Sequence, residues 1–194
     1  MSYQPYTKTE PIILASQSPR RQQLLTWAKI PFDVVLHPTD ESFPAGLSPR
    51  EAVQHIAREK AEAVAQQGNQ QRIVLAADTV VVLDGDIIGK PVDRADALRI
   101  LHRLSGRTQT VITGVAILQG ERSLVFADET EVQFHTLRTE QLEFYVDTYQ
   151  PYDKAGAYAI QEWIGVAGIA GIKGDFYNVM GLPVSRVIHA LDTF

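Results

Sequence analysis

Cysteine is absent from this 194-residue chain. That excludes disulfide bridges, thiolate metal sites and a thiol nucleophile, and it leads us to expect a reducing cytoplasm. An excess of positive charge is missing too. Eighteen Lys and Arg stand against 23 Asp and Glu, for a formal net charge of −5 and a pI of about 5.5. No general basic field is therefore available to hold a nucleic-acid polymer. A few clustered cations can still make a cleft positive on an acidic protein, which leaves small phosphorylated ligands open. No run approaches the ~18 apolar residues that cross a bilayer, and the polar start Met1 to Glu10 lacks the apolar centre of a signal peptide. There is no G-x-G-x-x-G after a strand and no Walker lysine loop, so the Rossmann and P-loop readings fail. No low-complexity linker splits the chain. Its 45% apolar residues suffice for one well-packed domain or two closely joined lobes.

What is present begins with Leu14-Ala-Ser-Gln-Ser-Pro-Arg-Arg21. Ile12 to Ala15 reads as a short strand, Ser18 as an N-cap and Pro19 as the first residue of a helix running to about residue 28. Unpaired backbone N–H groups, serine hydroxyls and the positive end of the helix dipole converge there, and Arg20 and Arg21 add forked donors suited to phosphate oxygens. The octapeptide alone leaves open a capped surface helix with two solvated arginines.

Phe32 to Leu36 is expected as a strand, followed by a polar connection with Asp40 and Glu41. Ser48-Pro-Arg-Glu51 is a capping box that opens a helix to about Gln67. The apolar stripe of that helix reads Val53, Ala57, Val64, and Lys60 falls on the same stripe. Periodicity alone favours a stem laid along the edge with its ammonium in water, because a buried lysine needs a partner. Ile73 to Ala77 is a buried type of strand, expected to break at Asp78-Thr79 and resume over Val80 to Leu83. A carboxylate inside such a run is either satisfied structurally or placed for metal binding or catalysis. Asp84-Gly85 fits a type I′ turn returning through Ile87-Ile88, a hairpin expected to bring Lys90 back toward Asp78. A helix over about 94–104 and strands over about 108–118 and 123–137 follow. On the last strand Glu129, Glu131, Gln133 and His135 share a face that reads as solvated, opposite Thr130, Val132 and Phe134. A helix over 140–149 precedes a segment with glycines at 156, 165, 168, 171 and 174. A last helix runs from Asn178 or Pro183 to Leu191, with Val184, Val187, Ile188 and Leu191 inward.

Taken together, Ser16-Gln-Ser-Pro-Arg-Arg21, Asp40-Glu41, Ala57-Arg-Glu-Lys-Ala61, Ala77-Asp-Thr79, Gly89-Lys-Pro91, Asp153-Lys-Ala-Gly-Ala-Tyr158 with Gln161, and Asn178-Val-Met-Gly-Leu-Pro183 resemble the Maf family of nucleotide pyrophosphatases. The resemblance spans about residues 12 to 190. It implies an α/β fold with an elongated mixed β-sheet, flanking helices and two lobes around a cleft, related to the inosine triphosphate pyrophosphatases. The implied organisation is a polar extension over 1–11 and a single catalytic domain over 12–194. The implied activity is hydrolysis of a nucleoside triphosphate to the monophosphate and pyrophosphate with a divalent metal, Mg²⁺ or Mn²⁺, by a cytoplasmic homodimer acting on neither nucleic acid nor membrane.

Residue by residue, the resemblance makes Asp78 the proton acceptor and, with Glu41, a metal ligand. Lys60, Lys90 and Arg21 would clamp the triphosphate, and Ser16 would donate to it. Arg20, Thr79 and Gln161 match the branch of the family that acts on thymidine and uridine triphosphates. The branch acting on 7-methylguanosine triphosphate has an aromatic, Gln and Glu at those places. A neutral Gln161 can present donor and acceptor to an imide edge such as uracil or thymine. Asp175 and Phe176 depart from the family's more usual Ser and Tyr, and Asp175 adds a negative charge. The alternatives are a pyrophosphatase for methylated guanine nucleotides and a nucleotide-binding regulator of division or septum formation with little turnover.

Overall fold

The computed structural model of the chain describes residues 10–194. The polar extension expected over residues 1–11 lies, as far as residue 9, outside the described residues. Short apolar runs rich in β-branched residues supply the strands. These are β1 (Ile12–Leu14), β2 (Phe32–Val34), β3 (Val74–Leu83), β4 (Asp86–Ile88), β5 (Thr108–Gln119), β6 (Arg122–Phe134) and β7 (Ile169–Lys173). They form one seven-stranded sheet in the order β2-β1-β3-β5-β6-β7, with β4 added on β3. β1 runs parallel to β2 and β3, whereas β4 on β3 and β7 on β6 are antiparallel. The sheet is therefore mixed, as the family resemblance implies. The helices are α1 (Pro19–Trp27), α2 (Pro49–Val64), α3 (Arg94–Leu104), α4 (Thr139–Tyr149), α5 (Trp163–Gly168), α6 (Phe176–Val179) and α7 (Val184–Leu191).

The chain divides into two compact units. The first holds the described residues up to Asp78, with Thr113–Asp128 and Gly181–Phe194. Its core sets Ile13, Val74, Ala76 and Ala116 of the strands against Ala57, Ala61 and Val64 of α2. Small residues let α2 lie close to the sheet, and the approach is tightest at Gly114, where an added Cβ would sit 2.3 Å from the Val53 carbonyl oxygen. α2 starts as its sequence predicts. The Ser48 amide donates to Glu51 Oε2 at 2.8 Å and the Glu51 amide donates to Ser48 Oγ at 3.3 Å, satisfying two N-terminal donors reciprocally. On α7, Val184, Val187 and Leu191 are buried and Ile188 is half-buried.

The second unit holds Thr79–Ile112 and Glu129–Met180. Its β3–β4 hairpin turns at Asp84 and Gly85, with φ of 55° and 88°, the two positive values a type I′ turn requires. α3 packs on α4, with Ala97, Ile100, Leu101 and Leu104 buried on one and Leu142, Tyr145 and Val146 on the other. Along β6, Glu129, Glu131 and Gln133 are exposed, as is His135 just past its end, while Thr130, Val132 and Phe134 are buried, so the expected alternation holds.

Several boundaries differ from expectation. β3 is continuous through Asp78-Thr79, both half-buried, so the two polar side chains are accommodated without interrupting the ladder. α2 gives way after Val64 to a wider π-type turn over Ala65–Asn69, where Gly68 takes a φ of 87°. β6 stops at Phe134, next to an irregularity in its pairing with β7 between Gln133 and Phe134. The glycine-containing stretch after Tyr158 carries α5 and β7. Of the two starts the sequence allows for the last helix, Asn178 or Pro183, the second holds, because Gly181 at φ 109° and Pro183 separate the short α6 from α7.

Candidate active site

In the first unit the turn from β1 into α1 buries Ser16. Its hydroxyl accepts from the Ser18 amide at 3.3 Å and from Arg21 Nη1 at 3.0 Å. Both lone pairs are then engaged, and the hydroxyl proton is left as a donor. Ser18 occupies the N-cap position of α1 but its side chain makes no capping bond. The Ser16 hydroxyl takes up the Ser18 amide instead. Arg21 is half-buried and held at a second point, where its Nε donates to the Gly181 carbonyl at 2.8 Å. Burial pushes the Arg21 guanidinium below its ordinary pKa; Asp78 and Glu41 pull it up, and Arg20 adds to the depression. It stays charged regardless.

Lys60 is the centre of this cluster. Its Nζ donates to Asp78 Oδ1 at 2.8 Å and lies 2.8 Å from Glu41 Oε1. The Lys60 and Asp78 side chains are each 15% exposed and that of Glu41 is 56% exposed. The lysine on the apolar stripe is thus partnered rather than solvated, with α2 delivering the ammonium and β3 the carboxylate. Ser16, Arg20, Arg21, Glu41, Lys60 and Asp78, all picked out from the sequence, belong to this one unit.

The cluster suits a divalent cation in one specific way. Among the described residues no group of three or more His, Cys, Asp or Glu side chains could cage a metal. Mg²⁺ and Mn²⁺ do not need a cage, since one or two carboxylates with water and phosphate oxygens suffice. Glu41 and Asp78, both close to the same ammonium, supply that donor set. Lys60 engages only Oδ1 of Asp78.

The second unit carries Thr79, half-buried on β3, with Lys90 and Gln161, both exposed. Lys90 lies two residues beyond Ile88, the last paired residue of β4. The preceding Gly89 carbonyl accepts from the Gly156 amide at 3.1 Å. Asp175, the departure from the family pattern, is used locally: its Oδ1 accepts from the Tyr177 amide at 2.8 Å and its backbone amide donates to Thr130 Oγ1 at 3.1 Å. Its carboxylate caps a backbone turn.

Three polar residues of this unit were not singled out from the sequence. Lys154 is buried, with its Nζ 2.8 Å from Asp153 Oδ1 and 3.5 Å from Glu162 Oε1. Tyr145, fully buried, donates from its hydroxyl to Glu162 Oε2 and accepts from the Ala159 amide at 3.0 Å. One signal for Tyr145 was available. It falls on the apolar stripe of α4 with Leu142 and Val146, and a tyrosine there needs a partner for its hydroxyl. Lys154 and Glu162 lie outside any periodic element.

Proteins named dTTP/UTP pyrophosphatase are similar over almost the whole chain. That from Symbiobacterium thermophilum is 50% identical over 183 residues, covering 94% of this chain and 93% of that protein. That from Porphyromonas gingivalis is 46% identical over 186 residues, covering 94% of each. The one from Bacillus velezensis is 46% identical over 186 residues, covering 96% of this chain and 97% of the other. Among solved structures, a HAM1 protein from Coxiella burnetii is similar over 95% of this chain and 99% of that one, with 17% identity and a TM-score of 0.49, too distant a likeness to build on. The family model for Maf-like proteins matches residues 11–194, and with relatives this similar over nearly the whole chain, the chain belongs to the Maf-like protein family.

Proposed function

We propose that this chain is a nucleoside triphosphate pyrophosphatase that hydrolyses dTTP and UTP, and modified pyrimidine triphosphates, to the monophosphate and pyrophosphate. The observation that carries the substrate class is that relatives named for this activity are 46% and 50% identical to it over more than nine-tenths of both chains. In the reaction, water attacks the α-phosphorus. A new P–O bond forms there, the bridge to the β-phosphate breaks, and pyrophosphate leaves with the electron pair. Asp78 takes the proton lost by the water, with Oδ2 as the accepting atom, because Lys60 already engages Oδ1. Lys60 faces the charge that builds on the phosphate oxygens. Arg21, pinned by Ser16 and Gly181, presents its guanidinium in a fixed pose, and the spare proton of Ser16 donates to the same anion. Lys90 supplies a further cation.

Glu41 and Asp78 would hold Mg²⁺ or Mn²⁺, whose chemistry there is neutralisation of phosphate charge and activation of water. Arg20, Thr79 and Gln161 select the base, with the Gln161 amide reading the imide edge of uracil or thymine. The same reading takes residues 12–194 as one catalytic domain of a cytoplasmic homodimer that acts on small nucleotides and on neither nucleic acid nor membrane. Among the described residues no helix is long and apolar enough to cross a membrane. The test is a panel of dTTP, UTP, CTP, GTP and 7-methyl-GTP with Mg²⁺ or Mn²⁺, with the products identified. UMP and pyrophosphate in equal amounts from UTP are expected. Release of inorganic phosphate, or turnover of the guanine nucleotides alone, would reject the reading.

A further inference from the structure

The proposed reaction makes no use of Tyr145, yet this buried residue holds the turn that carries Gln161. Its ring stacks on Tyr149 with centroids 5.1 Å apart, so α4 fixes where the hydroxyl points. Residues 159–162 form a tight turn in which the Glu162 amide donates to the Ala159 carbonyl at 3.1 Å. Gln161 is the third residue of that turn and is exposed. The Tyr145 hydroxyl accepts from the Ala159 amide at one end and donates to the Glu162 carboxylate at the other. One hydroxyl therefore grips both ends of the turn. The remaining oxygen of Glu162 faces the buried Lys154 ammonium, which sets the carboxylate from its other side. Behind the turn, the Gly165 amide donates to the Glu162 carbonyl at 2.9 Å, and a Cβ at Gly165 would lie 1.7 Å from the Ile160 carbonyl oxygen. The chain on that side has no room to shift.

We infer that Tyr145, acting through Glu162 and the Ala159 amide, is a positioning residue for base selection: it holds the 159–162 turn so that the Gln161 amide is presented in one pose. The inference rests on Gln161 facing the base. Reading an imide edge needs a donor and an acceptor at fixed places, and an amide on a loose turn satisfies both only part of the time. Phosphate clamping and water attack use other residues, so the hydroxyl bears on discrimination rather than on the chemical step.

The experiment measures kcat and KM for UTP and for GTP in the full-length protein, in Tyr145→Phe, in Gln161→Ala and in the double variant. Tyr145→Phe keeps the ring and removes the grip. We expect kcat/KM for UTP to fall about tenfold, chiefly through KM, while the value for GTP changes by less than about twofold. Added to Gln161→Ala, the tyrosine change is expected to leave the UTP-to-GTP ratio where Gln161→Ala put it, because both act through one contact. Equal losses for UTP and GTP in Tyr145→Phe, or a further drop of the ratio in the double variant, would overturn the inference while leaving the base-facing role of Gln161 intact. An unchanged ratio in Gln161→Ala removes that role and the inference with it. Should Tyr145→Phe fail to fold, Glu162→Ala releases the same turn from the half-buried side. The same loss of ratio is expected there, and its absence overturns the inference.

Discussion

The cluster around Lys60 and the turn that carries Gln161 are two ways of holding a polar side chain. In the first unit, Lys60 and Asp78 project from a long helix and a long strand whose backbones are fixed by their own ladders, and the ion pair at 2.8 Å only has to orient side chains. In the second, Gln161 sits on a non-repetitive turn whose backbone is fixed from outside by Tyr145, Glu162 and Lys154. The first arrangement places charge, which acts over several ångströms and tolerates small shifts. The second places an amide, whose hydrogen bonds weaken steeply with angle. Precision of pose is thus built where direction matters most, and it is built from long-range contacts.

The sharpest way to break that contrast is Asp78→Asn. The variant keeps the volume and the oxygen that Lys60 engages, so folding and UTP binding measured by calorimetry are expected to persist. Loss of the proton acceptor is expected to lower UMP release by about 10²- to 10⁴-fold. Near-normal turnover, with wild-type carry-over excluded, would reject Asp78 as the base. A smaller effect separates the two lysines. Lys60→Met and Lys90→Met each keep most of the apolar stem and are expected to reduce kcat/KM for UTP by about 10- to 100-fold. Their stabilities should diverge. Lys90 is exposed, so its loss should cost less than about 0.5 kcal/mol, whereas Lys60→Met leaves two carboxylates without their ammonium and should cost about 1 to 2 kcal/mol in denaturant unfolding. Equal stability of the two variants would show that the Lys60 ion pairs add nothing to the fold.

The smallest effect tests the cap at the start of α2. Hydrogen bonds from the Ser48 side chain and then its backbone hold the Glu51 carboxyl below its ordinary pKa of 4.5. A carboxyl depressed in the folded state stabilises it above the unfolded value and loses that contribution as pH falls through the folded value. The melting temperatures of wild type and Glu51→Ala should therefore differ at pH 7 and converge as the pH drops below about 4.5. A difference that stays constant across that range would assign the effect to helix propensity instead.

Much of the fold was legible because regular elements declare themselves within a few residues. The capping box at Ser48, the type I′ turn at Asp84-Gly85 and the alternation along β6 each rest on local geometry. Lys60 was visible as an anomaly on an apolar stripe, but periodicity favoured a solvated ammonium, since nothing local shows that β3 brings Asp78 within 2.8 Å. Asp78 itself stood out as a carboxylate in an apolar run, though the expected break there did not occur, because a half-buried side chain does not force the backbone out of its ladder. The stretch from Asp153 to Lys173 was read least well. Its short helix, its turn and β7 are specified by partners far away in sequence, such as the Tyr145 hydroxyl and the β6 edge.

By itself the sequence determined most of the regular elements, the acidic charge balance and, through its motifs, the family, because hydrophobic period, caps and motifs act over one or two turns of chain. Only the tertiary structure decided that Lys60 is shared between Asp78 and Glu41, that Arg21 is pinned by Ser16 and Gly181, and that one tyrosine clamps the turn of Gln161. Apart from the Arg21–Ser16 bond, which spans five positions, those contacts join residues 14 to 160 positions apart, and a hydrogen bond between such residues depends on where the strands and helices bring them, which no local stretch of chain encodes.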